Sequence, residues 1–189
     1  MTKEFLADRE KALEESFFAK QNKMLLERMR AEKDQSAARE DLARISGIQD
    51  EELLGKLADL EISASTWAAI SLVPLVEVAW ADGRIEEKER RAVLGAAEAN
   101  GVDPGAPSYE LLQNWLTHRP DTRLFEAWGE YIVGLCAKLE ASQRETLREQ
   151  VVGRARSIAE AAGGILGLVN TVSPEEQLVL QELEKAFDD

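Results

Sequence analysis

The stretch LVPLVEVAWADGRIEEKERRAVLGAAEAN, Leu72 to Asn100, decides the fold. Its first part is apolar with a single interruption at Glu77, its middle holds the turn pair Asp82-Gly83, and from Glu86 onward it is charged on one side and apolar on the other. That order dictates an apolar helix, a sharp turn and an amphipathic helix. A helix that is apolar nearly all round must be buried. Trp67, Ile70, Leu72, Val73, Leu75, Val76, Val78 and Trp80 are therefore expected on the central helix, begun by Ser63 or Ser65 and kinked at Pro74, where one backbone hydrogen bond is lost. The following helix, Glu86 to Ala99, is expected to bury Val93, Leu94 and Ala97 and to stop at Asn100-Gly101.

Upstream, residues 3 to about 46 carry an unbroken helical pattern with no Gly or Pro before Gly47, which sits where a C-cap glycine would. Such a helix would be about 65 Å long. Phe17, Met24, Ala31, Ala38 and Ile45 recur in heptad steps, but Gln21, Arg28 and Gln35 interrupt the seam. The large apolar groups concentrate in the first half, so Phe17, Phe18, Met24, Leu25 and Leu26 are the expected grip for a partner. This helix either folds back along its own domain, docks to another protein or self-associates. The domain division drawn from the sequence is residues 1–47 for the long helix and 48–189 for the helical body.

The body continues in the same idiom. Asp50 is placed to cap a short helix to Leu60 whose apolar side is Leu53, Leu54, Leu57 and Leu60. After Gly101 a loop with Pro104, Gly105 and Pro107 leads to a helix bearing Leu111, Leu112, Trp115 and Leu116. Leu124, Phe125, Trp128, Tyr131, Ile132, Leu135 and Cys136 then fall at helical spacing. Ser142 to Ala162 is amphipathic and ends in Ala161, Ala162, Gly163 and Gly164, which permit close backbone approach. Ser173-Pro174-Glu175-Glu176 is a strong helix start, and the last helix, Leu178 to Phe187, closes the core. The expected fold is all-α: a compact bundle of about seven helices with a long N-terminal helical extension.

Ala81, Asp82, Gly83, Ile85 and Glu89, with Trp80 before them, resemble the signature of the TerB-like family, tellurite-resistance-associated all-helical domains of bacterial stress systems in which an apolar helix runs into ADG-x-I-x-x-x-E. The resemblance spans about residues 66–187. It implies a helical bundle with a pseudo-repeat and divalent ions held by acidic residues around the turn. The place matching a second turn, Val169 to Ser173, lacks Asp-Gly.

Read as part of an EF-hand loop with Gly83 in the glycine position, Asp82, Glu86 and Glu89 fall on ligand positions and Ile85 on the aliphatic one. Val78 and Trp80 occupy two other ligand positions and cannot ligate. The candidate metal residues are thus Asp82, Glu86 and Glu89, with Glu77, for Ca²⁺ or Mg²⁺. The competing reading is a purely structural turn in which Asp82 caps the next helix and Gly83 takes positive φ.

The charge is −13 overall, with 36 acidic against 23 basic residues. Residues 1–47 are balanced, so the body carries the whole excess. An acidic body repels phosphate, which excludes nucleic acid and anionic lipid as expected partners and favours cations or basic protein surfaces. The single cysteine, Cys136, rules out an internal disulfide and fits a reducing, cytoplasmic setting, and the N-terminus lacks the layout of a signal peptide. The longest apolar run, Ser65 to Ala81, is interrupted by Pro74 and Glu77 and is not expected to span a membrane. The lone histidine, His118, is expected as a cap or surface residue. With neither a nucleophile-base pair nor a phosphate-binding glycine loop in the pattern, no catalytic residue is assigned. The expected function is a non-enzymatic adaptor; the alternative is an ion-binding module whose Asp82 turn controls docking.

Overall fold

Pro74 sets the geometry at the centre of the molecule. In the computed structural model, which describes Met29, residues 33–162 and residues 172–188, the apolar run is not one kinked helix. It is a 3-10 segment, Trp67–Leu72, followed by a separate helix, Val73–Ala79, with Pro74 in the first turn. Proline is pre-set for that position and the hydrogen bond it cannot donate is not needed there. The tighter 3-10 turn upstream is tied off by Thr66, whose hydroxyl accepts from the Ser63 N–H at 2.8 Å.

The chain divides into two units, Met1–Glu40 and Asp41–Asp189. In the first, the described residues from 33 onward are helical. In the second, numbering the helical stretch of residues 41–46 as α1, the order is α1, α2 (Glu51–Asp59), the 3-10 segment, α3 (Val73–Ala79), α4 (Glu87–Ala99), α5 (Pro107–Trp115), α6 (Arg123–Cys136), α7 (Ala141–Ala162) and α8 (Pro174–Lys185). The fold is all-α, and the second unit is a compact helical bundle. The division precedes Gly47 because Leu42 is buried in the core of the second unit. Gly47 takes φ +71°, and its N–H reaches the Ala43 carbonyl at 2.9 Å, as a C-cap glycine does. Of the long helix expected over residues 3–46, Met29 and residues 33–46 are described, and they are helical; Phe17, Phe18, Met24, Leu25 and Leu26 lie outside the described residues, as do Gly163, Gly164 and Val169 to Thr171.

Short α3 is the axle. Six of its seven residues are buried, Glu77 being the exception, and it packs on α4, α6, α7 and α8. Around it α7 also covers α4 and α8, α2 lies on α6, and α5 lies on the 3-10 segment. The apolar faces read from the sequence are the ones that meet here: Leu53, Leu54 and Leu57 from α2, Val93 and Ala97 from α4, Leu112 and Trp115 from α5, Trp128 and Ile132 from α6, and Leu180 and Leu183 from α8. Leu94, expected inside, is only partly covered.

α2 ends on Glu61 at φ +65°, the one described non-glycine residue with positive φ. The Ile62 N–H returns to the Leu57 carbonyl at 2.9 Å, the hydrogen bond that glycine commonly supports in this position. A side chain in the left-handed region costs about 1 kcal/mol. Glu61→Gly is therefore expected to raise the thermal midpoint by about 2 to 4 °C, read by circular dichroism, with no change in helix content.

Candidate functional site

The Asp82 turn is built from its own backbone. The Gly83 N–H bonds the Trp80 carbonyl at 2.9 Å, Gly83 sits at φ +86°, and Asp82 Oδ1 accepts the Arg84 N–H at 3.0 Å. Asp82 therefore closes the turn and does not cap α4; that position belongs to Glu86, and the helix proper starts at Glu87. Two anchors fix the turn against α5. Trp80 Nε1 donates to the Trp115 carbonyl at 2.8 Å, and Arg90 Nη2 donates to the Leu116 carbonyl. Both carbonyls are the unsatisfied acceptors that a helix leaves at its C-terminus.

The four candidate ligands separate into two environments. Glu89 is buried, 4% exposed, and its Oε2 accepts the Glu86 N–H at 2.6 Å within a capping box. Burial pushes its carboxyl up to about 7, assisted by the negative charges of Asp82, Glu176 and Glu86 and opposed by the Glu86 N–H. Glu77, on α3, is half-buried and answers to other neighbours: burial raises it, Arg119 at 3.6 Å lowers it, and Glu182 raises it again. Asp82 and Glu86 are both approached by Arg84, at 3.4 and 3.8 Å. A guanidinium thus already occupies the electrostatic position that a cation would take beside the turn. Among the described residues, no three carboxylate, thiol or imidazole side chains converge in a set able to hold a metal ion.

Glu176 was not expected as part of this site. It is 5% exposed and is the third residue of α8, where its Oε2 accepts the Ser173 N–H at 2.6 Å while its own N–H donates to Ser173 Oγ at 3.2 Å. α4 and α8 therefore begin alike, each with a buried glutamate turned back on its own N-cap, and the two charges feel one another. The Glu-x-x-Glu of 86–89 and the Ser-x-x-Glu of 173–176 were the signal available in the sequence. His118 is exposed at the end of α5 with Asn114 Oδ1 at 3.1 Å from its Nδ1, and Cys136 is buried core, its thiol pushed up by burial.

A second feature lies along α6. An open groove of about 530 Å³ runs between the Ser46–Leu53 segment and the end of α6, from Glu130 to Lys138 just beyond it. Ile48, Leu53, Tyr131, Val133 and Leu135 give it an apolar lining, and Val133 is 38% exposed, unusual for a large aliphatic residue on this bundle. Its rim charges are engaged: Asp50 caps α2, Lys56 holds Glu130 at 2.9 Å, and Lys138 donates to the Gly47 carbonyl at 3.3 Å. No stretch of the sequence announced this groove, because its two walls come from segments about eighty residues apart.

Comparison with protein-family models, curated proteins and solved structures found no match to this chain. Among the described residues no helix is long and apolar enough to cross a membrane.

Proposed function

We propose that this protein is a non-enzymatic protein-interaction module of TerB-like type, an adaptor whose helical body offers the groove beside α6 and whose N-terminal segment, through Phe17, Phe18, Met24, Leu25 and Leu26, offers a second contact. The observation that carries the reading is the groove itself: apolar side chains left accessible on a bundle whose other large apolar residues are mostly covered. Grooves of this kind receive apolar anchors from a partner, and the rim charges set orientation more than affinity. The −13 charge favours a basic partner surface. The TerB-like part of the proposal is supported by the apolar α3 running through the Asp82 turn into α4, and by the capping glutamate that α8 shares with α4.

The test is affinity capture from a lysate of the source organism with four baits: the full chain, a 41–189 truncation that keeps the core residue Leu42, Val133→Asp and Leu178→Asp. Val133→Asp is expected to lose a stoichiometric partner by at least tenfold, whereas Leu178→Asp, an exposed apolar residue on α8 outside the groove, retains it. Equal capture by both variants would remove the groove from the proposal.

The Ca²⁺ or Mg²⁺ reading has one observation in its favour, the repulsion that Asp82, Glu86 and Glu176 exert on buried Glu89, which a divalent cation would relieve. An ion there would have to displace Arg84. Calorimetry with each metal at millimolar concentration, on the parent and on Asp82→Ala, tests it; absent heats, or equal heats in both proteins, end it.

A further inference from the structure

A smaller cavity, about 270 Å³, opens between the 3-10 segment, α6 and α7 and is separate in chemistry from the groove described above. Its walls are aromatic and aliphatic: Trp67, Ile70, Trp128, Tyr131 and Leu147 are among them. Trp67 and Tyr131 meet edge to face at 5.1 Å, and Trp128 is fixed from behind by Phe125, stacked at 5.6 Å, and by Phe187. Such rings are held in place before any ligand arrives, and a flat apolar group lying against them need not reorganise the wall.

One charged side chain lines this cavity among the described residues, Arg154 of α7. Its situation is unusual in a chain with 36 acidic residues. Arg154 Nη1 donates to Asn100 Oδ1 at 2.6 Å, and Asn100 is itself pinned by its Nδ2 donating to the Ala96 carbonyl at 2.6 Å. The partner is thus a neutral amide at the end of α4, oriented so that it holds the guanidinium in place without neutralising it. No carboxylate of the described residues lies within ion-pair distance of Arg154. A guanidinium has five donors in a planar fork suited to a carboxylate, and no acidic residue among the described ones takes the remaining donors.

We infer that this cavity is a binding site for a small aromatic or aliphatic carboxylic acid, with the apolar part against Trp67, Tyr131 and Leu147 and the carboxylate on Arg154. The size agrees with a compact ligand, since the volume stands just below the roughly 300 to 1,000 Å³ common for drug-sized molecules. A largely apolar pocket with one well-placed polar group is the usual arrangement for recognising such a molecule. The negative charge of the body opposes anions in general, so discrimination has to come from the local fork and not from the overall field. The site does not depend on the adaptor reading, although Tyr131 and Leu135 line both openings.

The experiment titrates the full-length protein with phenylacetate and with its neutral isostere phenylacetamide, following tryptophan fluorescence and heat. Trp67 and Trp128 are in the wall, so occupancy is expected to change emission in a saturable way. Phenylacetate is expected to bind at least tenfold more tightly than the amide. Arg154→Gln is expected to abolish that preference while leaving binding of the amide and the thermal midpoint nearly unchanged, and Leu147→Trp, which fills the cavity from α7, is expected to eliminate binding of both. Equal affinity for acid and amide in the parent protein overturns the proposal even if the variants fail to fold. So does the absence of saturation by phenylacetate up to tens of millimolar, or a preference for the acid that survives Arg154→Gln.

Discussion

Trp128→Ala is expected to lower the unfolding free energy by about 3 to 5 kcal/mol, the range for removing a buried aromatic side chain. Trp128 is 1% exposed on α6, stacked on Phe125 at an interplanar angle of 8° and in edge contact with Phe187 at 6.4 Å. Phe187 is the last buried residue among the described ones, so the indole ties the C-terminal end of the bundle to its middle. Alanine would leave a hole that neither neighbour can fill without leaving its own contact. Against a total stability of about 5 to 15 kcal/mol for a domain of ordinary kind, that loss approaches unfolding. The thermal midpoint should fall by about 10 °C or more. Urea unfolding followed by far-ultraviolet circular dichroism measures it. Val133→Ala, at an exposed position on the same helix, is expected to change stability by less than about 0.5 kcal/mol. A cost below about 1 kcal/mol for Trp128→Ala would mean that α6 is not packed as described.

The second large effect concerns Glu89 and pH. Its carboxyl stands at about 7 in the folded protein against an ordinary 4.5. Between those two values the folded state holds a proton that the unfolded state has released, so stability falls as pH rises through this window and is highest, for this group, below about 4.5. The difference amounts to about 3 kcal/mol. Glu77, also raised by burial, acts in the same direction. Glu89→Gln isolates the effect, because an amide oxygen can still accept the Glu86 N–H while carrying no charge. At pH 8 the variant is expected to be more stable than the parent by about 2 to 3 kcal/mol, and at pH 5 to be within about 1 kcal/mol of it. Glu89→Ala, by contrast, loses the capping bond and should be less stable at pH 5 by about 1 kcal/mol. Urea titrations at pH 5, 6, 7 and 8 give the slopes. Parallel slopes for the parent and Glu89→Gln would contradict the assignment of a buried, protonatable glutamate at the start of α4.

The apolar faces were legible in the sequence because each depends on local periodicity. Trp128, Ile132 and Cys136 fall four residues apart and are buried together, and the same logic placed Leu53, Leu54 and Leu57, Val93 and Ala97, and Leu112 and Trp115. The turn at Asp82-Gly83 was legible because only glycine is at ease at φ +86°. The division of the Trp67–Ala79 run was missed because hydrophobicity is continuous across Leu72 and Val73; only Pro74 marks the restart, and proline is compatible with both a kink and a first turn. The environment of the candidate ligands was not legible at all. Sequence spacing put Glu77 with Asp82, Glu86 and Glu89, whereas its charged neighbours come from Arg119 and from Glu182 on α8. Arg84, two residues from both Asp82 and Glu86, reads in sequence as one more surface charge, yet it approaches both carboxylates. The groove and the aromatic cavity share this property: Ile48 meets Val133, and Trp67 meets Arg154, only through tertiary packing.

Site-specific photocrosslinking in the source organism tests the interaction proposal most directly. A benzophenone side chain is placed in turn at Val133, in the groove, and at Glu145, exposed on α7 outside it. The expected result is one discrete adduct of defined mass at 133, lost when Leu53 is also changed to Asp in a chain whose helix content is unchanged, and none at 145. No adduct at 133, or the same adducts at both positions, would contradict the groove as the place where this protein meets its partner.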